Sequence, residues 1–400
     1  MNTSVVQQFA EAIDARDGER VVMLLDAVQR DASARTQLQQ SLPPSHPSPW
    51  PTALRHWCEA SAPRAEYHPD AFNALTAALE AVYDAFREEE AGNWAVPVVH
   101  RFGRELLHCA MRLDASEADR DALATDPERA HAHLRAAESV LKRGLALMMS
   151  DRTADERYSK RQGALGMIVF LLRIYFALNN LRLCTSLVRT VESPGFPAVD
   201  AGFALDQRVP YHYYVGRMAL YEDRYAAAAE HLTRATRECP LRYARNRRRL
   251  LTYLVPVRLA LGRMPSSRLL QRYGLVQYTG ICQALRTGDI ARFDWQLHRY
   301  AGHFRRTGTM LLIERLRPLV YRALFRRIAQ LLRSTRIALE ACRCGMLDAE
   351  MELDEVECVL ANLIYQGYVR GYLSHEKRYL VLSAQNAFPR IAQVASAGRG

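Results

Sequence analysis

The residues best suited to chemistry in this chain are two close pairs and one short run. His131 and His133 stand two apart, a spacing that metal-dependent deubiquitinases use. That pattern also needs a serine and an aspartate downstream, and Leu141 stands at the serine position. Cys342 and Cys344 lack the second cysteine or histidine pair that a zinc site requires, so they read as two cysteines of one helix. "HEKRY" from His375 opens like a zinc-protease helix but has no second histidine, and it falls at a hairpin tip. The chain has no glycine loop ending in Lys-Ser or Lys-Thr, and no Gly-x-Ser-x-Gly elbow. No catalytic constellation remains; a non-enzyme without metal or cofactor is expected.

Charge is the stronger signal. The 400 residues carry a formal net charge of +11 with a pI near 9.4, which favours an acidic partner. Nearly all the basic residues are arginine; only Lys142, Lys160 and Lys377 are lysines. Between Pro240 and Thr335 stand 20 arginines against Asp289, Asp294 and Glu314, a surplus of 17. The clusters are Arg242, Arg245, Arg247, Arg248 and Arg249, then Arg305 and Arg306, then Arg326 and Arg327 with Arg322. A planar guanidinium suits bidentate contact with phosphate or carboxylate. The stretch can be a nucleic-acid track, a seat for an acidic protein, or solvated helix faces with arginine stems over apolar surface. Base-composition bias is a further source of arginine, and "RNRRR" also fits a nuclear localisation signal.

The elements that must position these residues are helical. Strand-like alternation is nearly absent before residue 368, while the helical period dominates. "SLPPSHPSPWP" (41–51) cannot be helical and marks a linker or an ordered excursion. Acidic and basic residues interrupt the first 30 positions, so no signal peptide is expected, and the eight scattered cysteines read as reduced and buried in an intracellular protein. The apolar window 164–178 contains Arg173 and is too short to span a bilayer; it suits a buried helix, with no membrane insertion.

Residues 212–240 follow the helix-pair spacing of a tetratricopeptide unit. Gly216, Ala228, Leu232, Ala235 and Pro240 take its small and apolar offsets, and His212 stands where a large aromatic is usual. Helices continue on both sides, as in a stacked array. Pro256 should kink or break its helix. Then come a short helix over 334–345, a connection "MLDAEMEL", and a helix capped by Asp354 with Glu357 in capping-box spacing. Gly367 is its expected left-handed stop, and "YVRGYL" and "RYLVL" form a two-stranded wing around "SHEK". The fold class is therefore mainly α: a TPR-like array, or α-solenoid, ending in a winged helix with a small β-hairpin wing. The organisation expected is a helical region at 1–150, repeats at 151–310, the winged helix at 311–390 and a flexible tail at 391–400.

Asp354, Glu355 and Glu357 crowd the end that a recognition helix points at bases, so the wing with Arg370, His375, Lys377 and Arg378 is the expected phosphate contact. With the arginine clusters Arg242, Arg245, Arg247, Arg248, Arg249, Arg305, Arg306, Arg326 and Arg327 it makes the expected nucleic-acid surface. Tyr365, Tyr368, Tyr372 and Arg322 are the expected partner contacts.

From about Tyr158 to Pro389 the sequence resembles the PCI family, in the branch of the TREX-2 mRNA-export subunit and its signalosome-12-like relatives. The resemblance is carried by Tyr211–Gly216 (YHYYVG), Tyr253-Leu254 with Pro256-Val257, Gly262, Pro265, Leu360–Tyr365 (LANLIY), Gly367, Gly371 and the exit Gln385–Pro389. It implies helical repeats running into a winged helix, and no enzymatic activity. It implies a heteromeric complex with a larger PCI-containing mRNA-export scaffold and a small acidic subunit shared with the proteasome lid. It further implies paired winged helices contacting RNA or DNA at nuclear pores, with the cytoplasm as a second compartment. The other reading is a purely structural subunit of a signalosome-like or proteasome-lid-like assembly without nucleic-acid contact.

Overall fold

The computed structural model describes residues 4–42, 49–61, 68–89, 92–115, 131–153, 155, 157–346 and 351–397. The chain divides into two compact units, Met1–Tyr214 and Val215–Gly400. An earlier boundary was expected near residue 150. The helices on either side of that position, Ala132–Met149 and Ala164–Ala177, pack on each other within the first unit.

The first unit is built from helices whose starts are locally encoded. Ser4 accepts from Gln7 N, and Asp17 from Arg20 N, satisfying amides that a helix leaves open at its first turn. Its core includes Trp57, Phe86, Phe102 and Tyr175. The helix Ala164–Ala177 is buried around almost its whole circumference. Among the described residues no helix is long and apolar enough to cross a membrane. Of the expected non-helical linker at 41–51, residues 43–48 lie outside the described residues, and its last three, Pro49 to Pro51, instead open the helix Pro49–Ala60, a first turn being where proline is tolerated.

In the second unit the helices Tyr225–Glu238 and Ala244–Ala260 pair through buried Ala228, Leu232 and Ala235. A Cβ at Gly216, in the helix Leu205–Tyr221, would stand 2.7 Å from the Leu232 side chain, so this small residue lets that helix approach Tyr225–Glu238 closely. The helix Ala244–Ala260 runs through Pro256 without the expected break, with Pro256 among its buried residues. Gly288 ends the helix Thr279–Thr287 in a left-handed conformation, φ +74°, against the backbone of Leu324.

The helix Arg317–Leu332 leads into a winged helix. Here β1 (Arg336–Ala338) precedes the helix Leu339–Met346, and the helix Leu353–Tyr365 is followed by β2 (Gly371–Ser374) and β3 (Tyr379–Leu382). The sheet has three antiparallel strands in the order β1-β3-β2. The expected wing had two. β1 lies at the start of what reads as a helix, and its pairing with β3, more than 40 residues away, is not visible in local sequence. The capping box is also two residues earlier than expected: Glu352 and Glu355 close it, because the helix begins at Leu353 and not after Asp354. Of the connection "MLDAEMEL", residues 347–350 lie outside the described residues.

Ile337, Leu339, Cys342, Val356, Leu360, Leu363, Leu380 and Leu382 make the core of this module. Each full-sized apolar side chain so buried stabilises by about 1.5–3 kcal/mol relative to exposure. Gly367 stops the helix with φ +75°, as its sequence position suggests. The region expected as a flexible tail contains the helix Ile391–Ala397, whose Ile391 lies against Gly262; residues 398–400 lie outside the described residues.

Candidate nucleic-acid and partner interface

The helix Ala244–Ala260 presents its arginines on two sides. Arg245 and Arg249 are exposed, one turn apart on the same face, and Arg242 is exposed in the turn just before the helix. Arg247 points the other way: it donates to the Cys239 carbonyl and, through Nε, to Tyr273 Oη at 3.0 Å. It is a structural tie between this helix and the Ser267–Arg272 turn region, and it leaves the expected contact surface. Arg248 is exposed but donates to the Gly274 carbonyl at 3.3 Å.

The second cluster adjoins the first. His303 is held below its ordinary pKa by burial and by the positive charges of Arg306 and Arg248, which sets these two arginines around one imidazole. Arg305 and Arg306 are exposed. Arg326 and Arg327 are exposed as well, Arg327 reaching the Thr287 carbonyl at 3.5 Å. Of the 20 arginines between Pro240 and Thr335, those that meet a carboxylate among the described residues are Arg292, Arg315 and Arg317.

Arg322 is not a surface residue. It is buried and donates to the carbonyls of Phe388 and Pro389, at 3.2 and 2.6 Å, so it fastens the chain's exit to the module. Its place on the expected partner surface is therefore withdrawn: the side chain is buried, and its guanidinium is spent on backbone carbonyls of its own chain.

The wing tip is partly neutralised. His375 Nδ1 lies 2.9 Å from Glu357 Oε2, and Arg378 spans Asp354 and Glu357. The Arg378 guanidinium holds the Asp354 carboxyl below its usual range. His375 and Arg378 thus face the helix's carboxylates, while the exposed side chains of Arg370 and Lys377 meet no carboxylate among the described residues.

Tyr365 and Tyr368 line a cleft with Tyr225, Leu261, Arg315 and Val394. Tyr365 is 90% exposed at the end of its helix, an uncommon cost for a large aromatic without a partner. Tyr372 is 61% exposed and belongs to the sheet instead.

Sequence reasoning missed Trp295, 57% exposed with the Arg299 guanidinium 4.9 Å from its ring, and the pair Arg336 and Tyr379, at 5.6 Å. The i, i+4 spacing of Trp295 and Arg299 could have revealed the first; the second needs the β1–β3 pairing.

The early candidates for chemistry have structural roles. Asp114 accepts from the backbone amides of His133 and Leu134, and lies 2.9 Å from His133 Nδ1, so the histidine pair begins a helix. Cys342 is buried, its thiol pushed up to about 12 by burial, while Cys344 is exposed. Cys358 is exposed too, against the expectation of uniformly buried cysteines. Among the described residues no group of three histidines, cysteines or carboxylates is placed to hold a metal ion.

Comparison with known proteins places this geometry. The PCI domain matches residues 297–384, and the PSMD3-like, N-terminal TPR repeats match residues 140–277. PCI domain-containing protein 2 of Xenopus laevis is 31% identical over 400 residues, covering 97% of this chain and 98% of that protein. The PCI domain-containing protein 2 homolog of Drosophila melanogaster is 34% identical over 328 residues, covering 81% and 80%. Protein CSN12 homolog of Mycosarcoma maydis is 30% identical over 359 residues, covering 84% and 78%. The Xenopus similarity takes in the first 150 residues, which sequence resemblance alone left unplaced.

Proposed function

Because the chain belongs to the PCI-domain family, with TPR-like repeats ahead of its winged helix, we propose that it is a non-catalytic adaptor of TREX-2 type, coupling transcription to nuclear mRNA export. In this reading it binds RNA or DNA through its arginine surface and holds protein partners through the repeat and winged-helix surfaces. One observation carries the proposal: only Arg292, Arg315 and Arg317 of the 20 arginines between Pro240 and Thr335 meet carboxylates among the described residues. A surplus left open to solvent repels itself and is relieved by polyanion binding.

A larger PCI-containing scaffold would engage the cleft at Tyr365 and Tyr368, and a small acidic subunit would share the positive surface. The site of action is the nucleus, at nuclear pores. The second reading is a purely structural subunit of a signalosome-like assembly. It is favoured by the pairing of His375 and Arg378 with the helix's own carboxylates, and by the similarity to Protein CSN12 homolog.

The test is charge reversal at Arg245, Arg249 and Arg306, which are exposed and make no hydrogen bond or ion pair among the described residues. With labelled RNA and DNA at low salt, fluorescence anisotropy should show loss of binding of tenfold or more at unchanged melting temperature. Equal affinity in the folded variant removes the nucleic-acid track. Recovery of signalosome subunits, and no export factors, in a tagged pull-down would favour the second reading.

A further inference from the structure

We infer that the outer face of the three-stranded sheet is a stacking platform for the unpaired bases of a single-stranded nucleic acid. The inference rests on the nucleic-acid reading above and deepens it.

The pleat divides the strands into two faces. Ile337, Leu380 and Leu382 point into the core. On the other face the register sets Arg336, Val381 and Tyr372 side by side in one row, and Ala338, Tyr379 and Ser374 in the next. None of these six residues is a carboxylate. Tyr372 and Tyr379 are both exposed and stand as diagonal neighbours, roughly 7–8 Å apart at the backbone. The Arg336 guanidinium lies 5.6 Å from the Tyr379 ring centroid. Exposed Arg370, just ahead of β2, shares the parity of Tyr372, and Lys377 stands at the tip.

Two exposed rings, an arginine plane beside one of them and cations at the border suit a strand whose bases stack while its phosphates run along the rim. A duplex offers no base faces. It would be read instead by the start of the helix Leu353–Tyr365, where Asp354, Glu355 and Glu357 repel phosphate and hold His375 and Arg378. Charge complementarity and the available ring faces therefore select single strands.

The experiment measures anisotropy of the full chain with a fluorescein-labelled 15-nucleotide oligouridylate and with a blunt RNA duplex of the same length. The single strand should bind more tightly. Tyr372→Ala and Tyr379→Ala should each weaken it roughly 5- to 150-fold, with little effect on the duplex. Tyr372→Phe and Tyr379→Phe should bind like the unaltered chain, since the ring and not the hydroxyl does the stacking. Both tyrosines are exposed, and an unchanged melting temperature confirms that the alanine variants are folded.

Equal binding by the alanine variants, equal or tighter binding of the duplex, or an equal loss in the phenylalanine variants would each overturn the platform. If the alanine variants lose a poly-glutamate peptide while oligonucleotide affinity is unchanged, the face is a protein seat and the inference falls. Binding that the arginine reversals abolish and the tyrosine variants leave untouched defeats the platform alone. No binding of either probe by the unaltered chain defeats both the platform and the nucleic-acid reading.

Discussion

His375 Nδ1, at the tip of the β-hairpin, lies 2.9 Å from Glu357 Oε2, on the helix 18 residues before it. With Arg378 on Asp354 and Glu357, this clasp fixes the wing against the amino end of the helix Leu353–Tyr365. The helix would otherwise begin with an uncompensated run of carboxylates; those charges suit its positive end but repel any polyanion. The Arg378 charge reduces that field, and in doing so it is withdrawn from solution.

Releasing the clasp should therefore strengthen polyanion binding. The pair Asp354→Asn and Glu357→Gln frees His375 and Arg378 and removes two negative charges. We expect the affinity for single-stranded RNA to rise several-fold at low salt, and the dependence of log affinity on log salt to steepen by about one ion. A salt titration followed by anisotropy reads both. An unaltered slope would mean that the wing tip lies off the binding path.

Arg322 should behave as a structural residue. Burial pushes its pKa below the ordinary value, with the Arg326 charge acting in the same direction, and its bonds to Phe388 and Pro389 are what hold it there. Arg322→Ala removes a charged donor from two buried carbonyls, at a cost of about 2–3 kcal/mol. Urea unfolding followed through Trp295 should show the loss, and hydrogen exchange should rise over residues 386–394. A partner-contact role predicts a different result: normal stability and exchange, with only partner binding lost.

The first unit should be sensitive to mild acid. His100 is buried, its Nε2 donates to the Gly163 carbonyl at 2.8 Å, and burial lowers its pKa. The unfolded imidazole takes up a proton near pH 6.5 and the folded one does not. The unfolded state thus binds more protons, and stability is complete above pH 6.5 and declines as pH falls from there towards the folded value. Tryptophan fluorescence, with Trp50, Trp57 and Trp94 in this unit, should give urea midpoints that fall between pH 7.5 and 5.5. His100→Gln keeps a donor without the titration and should flatten that decline; the same decline in the variant would assign it elsewhere.

Much of this architecture was legible in the chain. The helical period, the Gly216 and Leu232 offsets, the glycine stop at Gly367 and the hairpin around "SHEK" are encoded within a few residues, because capping, turns and amphipathic faces are local effects. The same locality explains the errors. β1 is too short to show alternation and exists only because β3 pairs with it, and the start of the helix Leu353–Tyr365 was placed two residues late among several competing carboxylates.

The sequence by itself determined the fold class, the winged-helix ending and the excess of arginine, since composition and short-range spacing are properties of the chain. Only the tertiary structure decided what each cation does. Arg247 and Arg322 are internal ties, His375 and Arg378 are held by carboxylates 18–24 residues away, and Arg242, Arg245, Arg249 and Arg306 remain exposed. Identical side chains differ here because burial and distant partners, not residue type, set whether a charge is satisfied within the fold or left for a ligand.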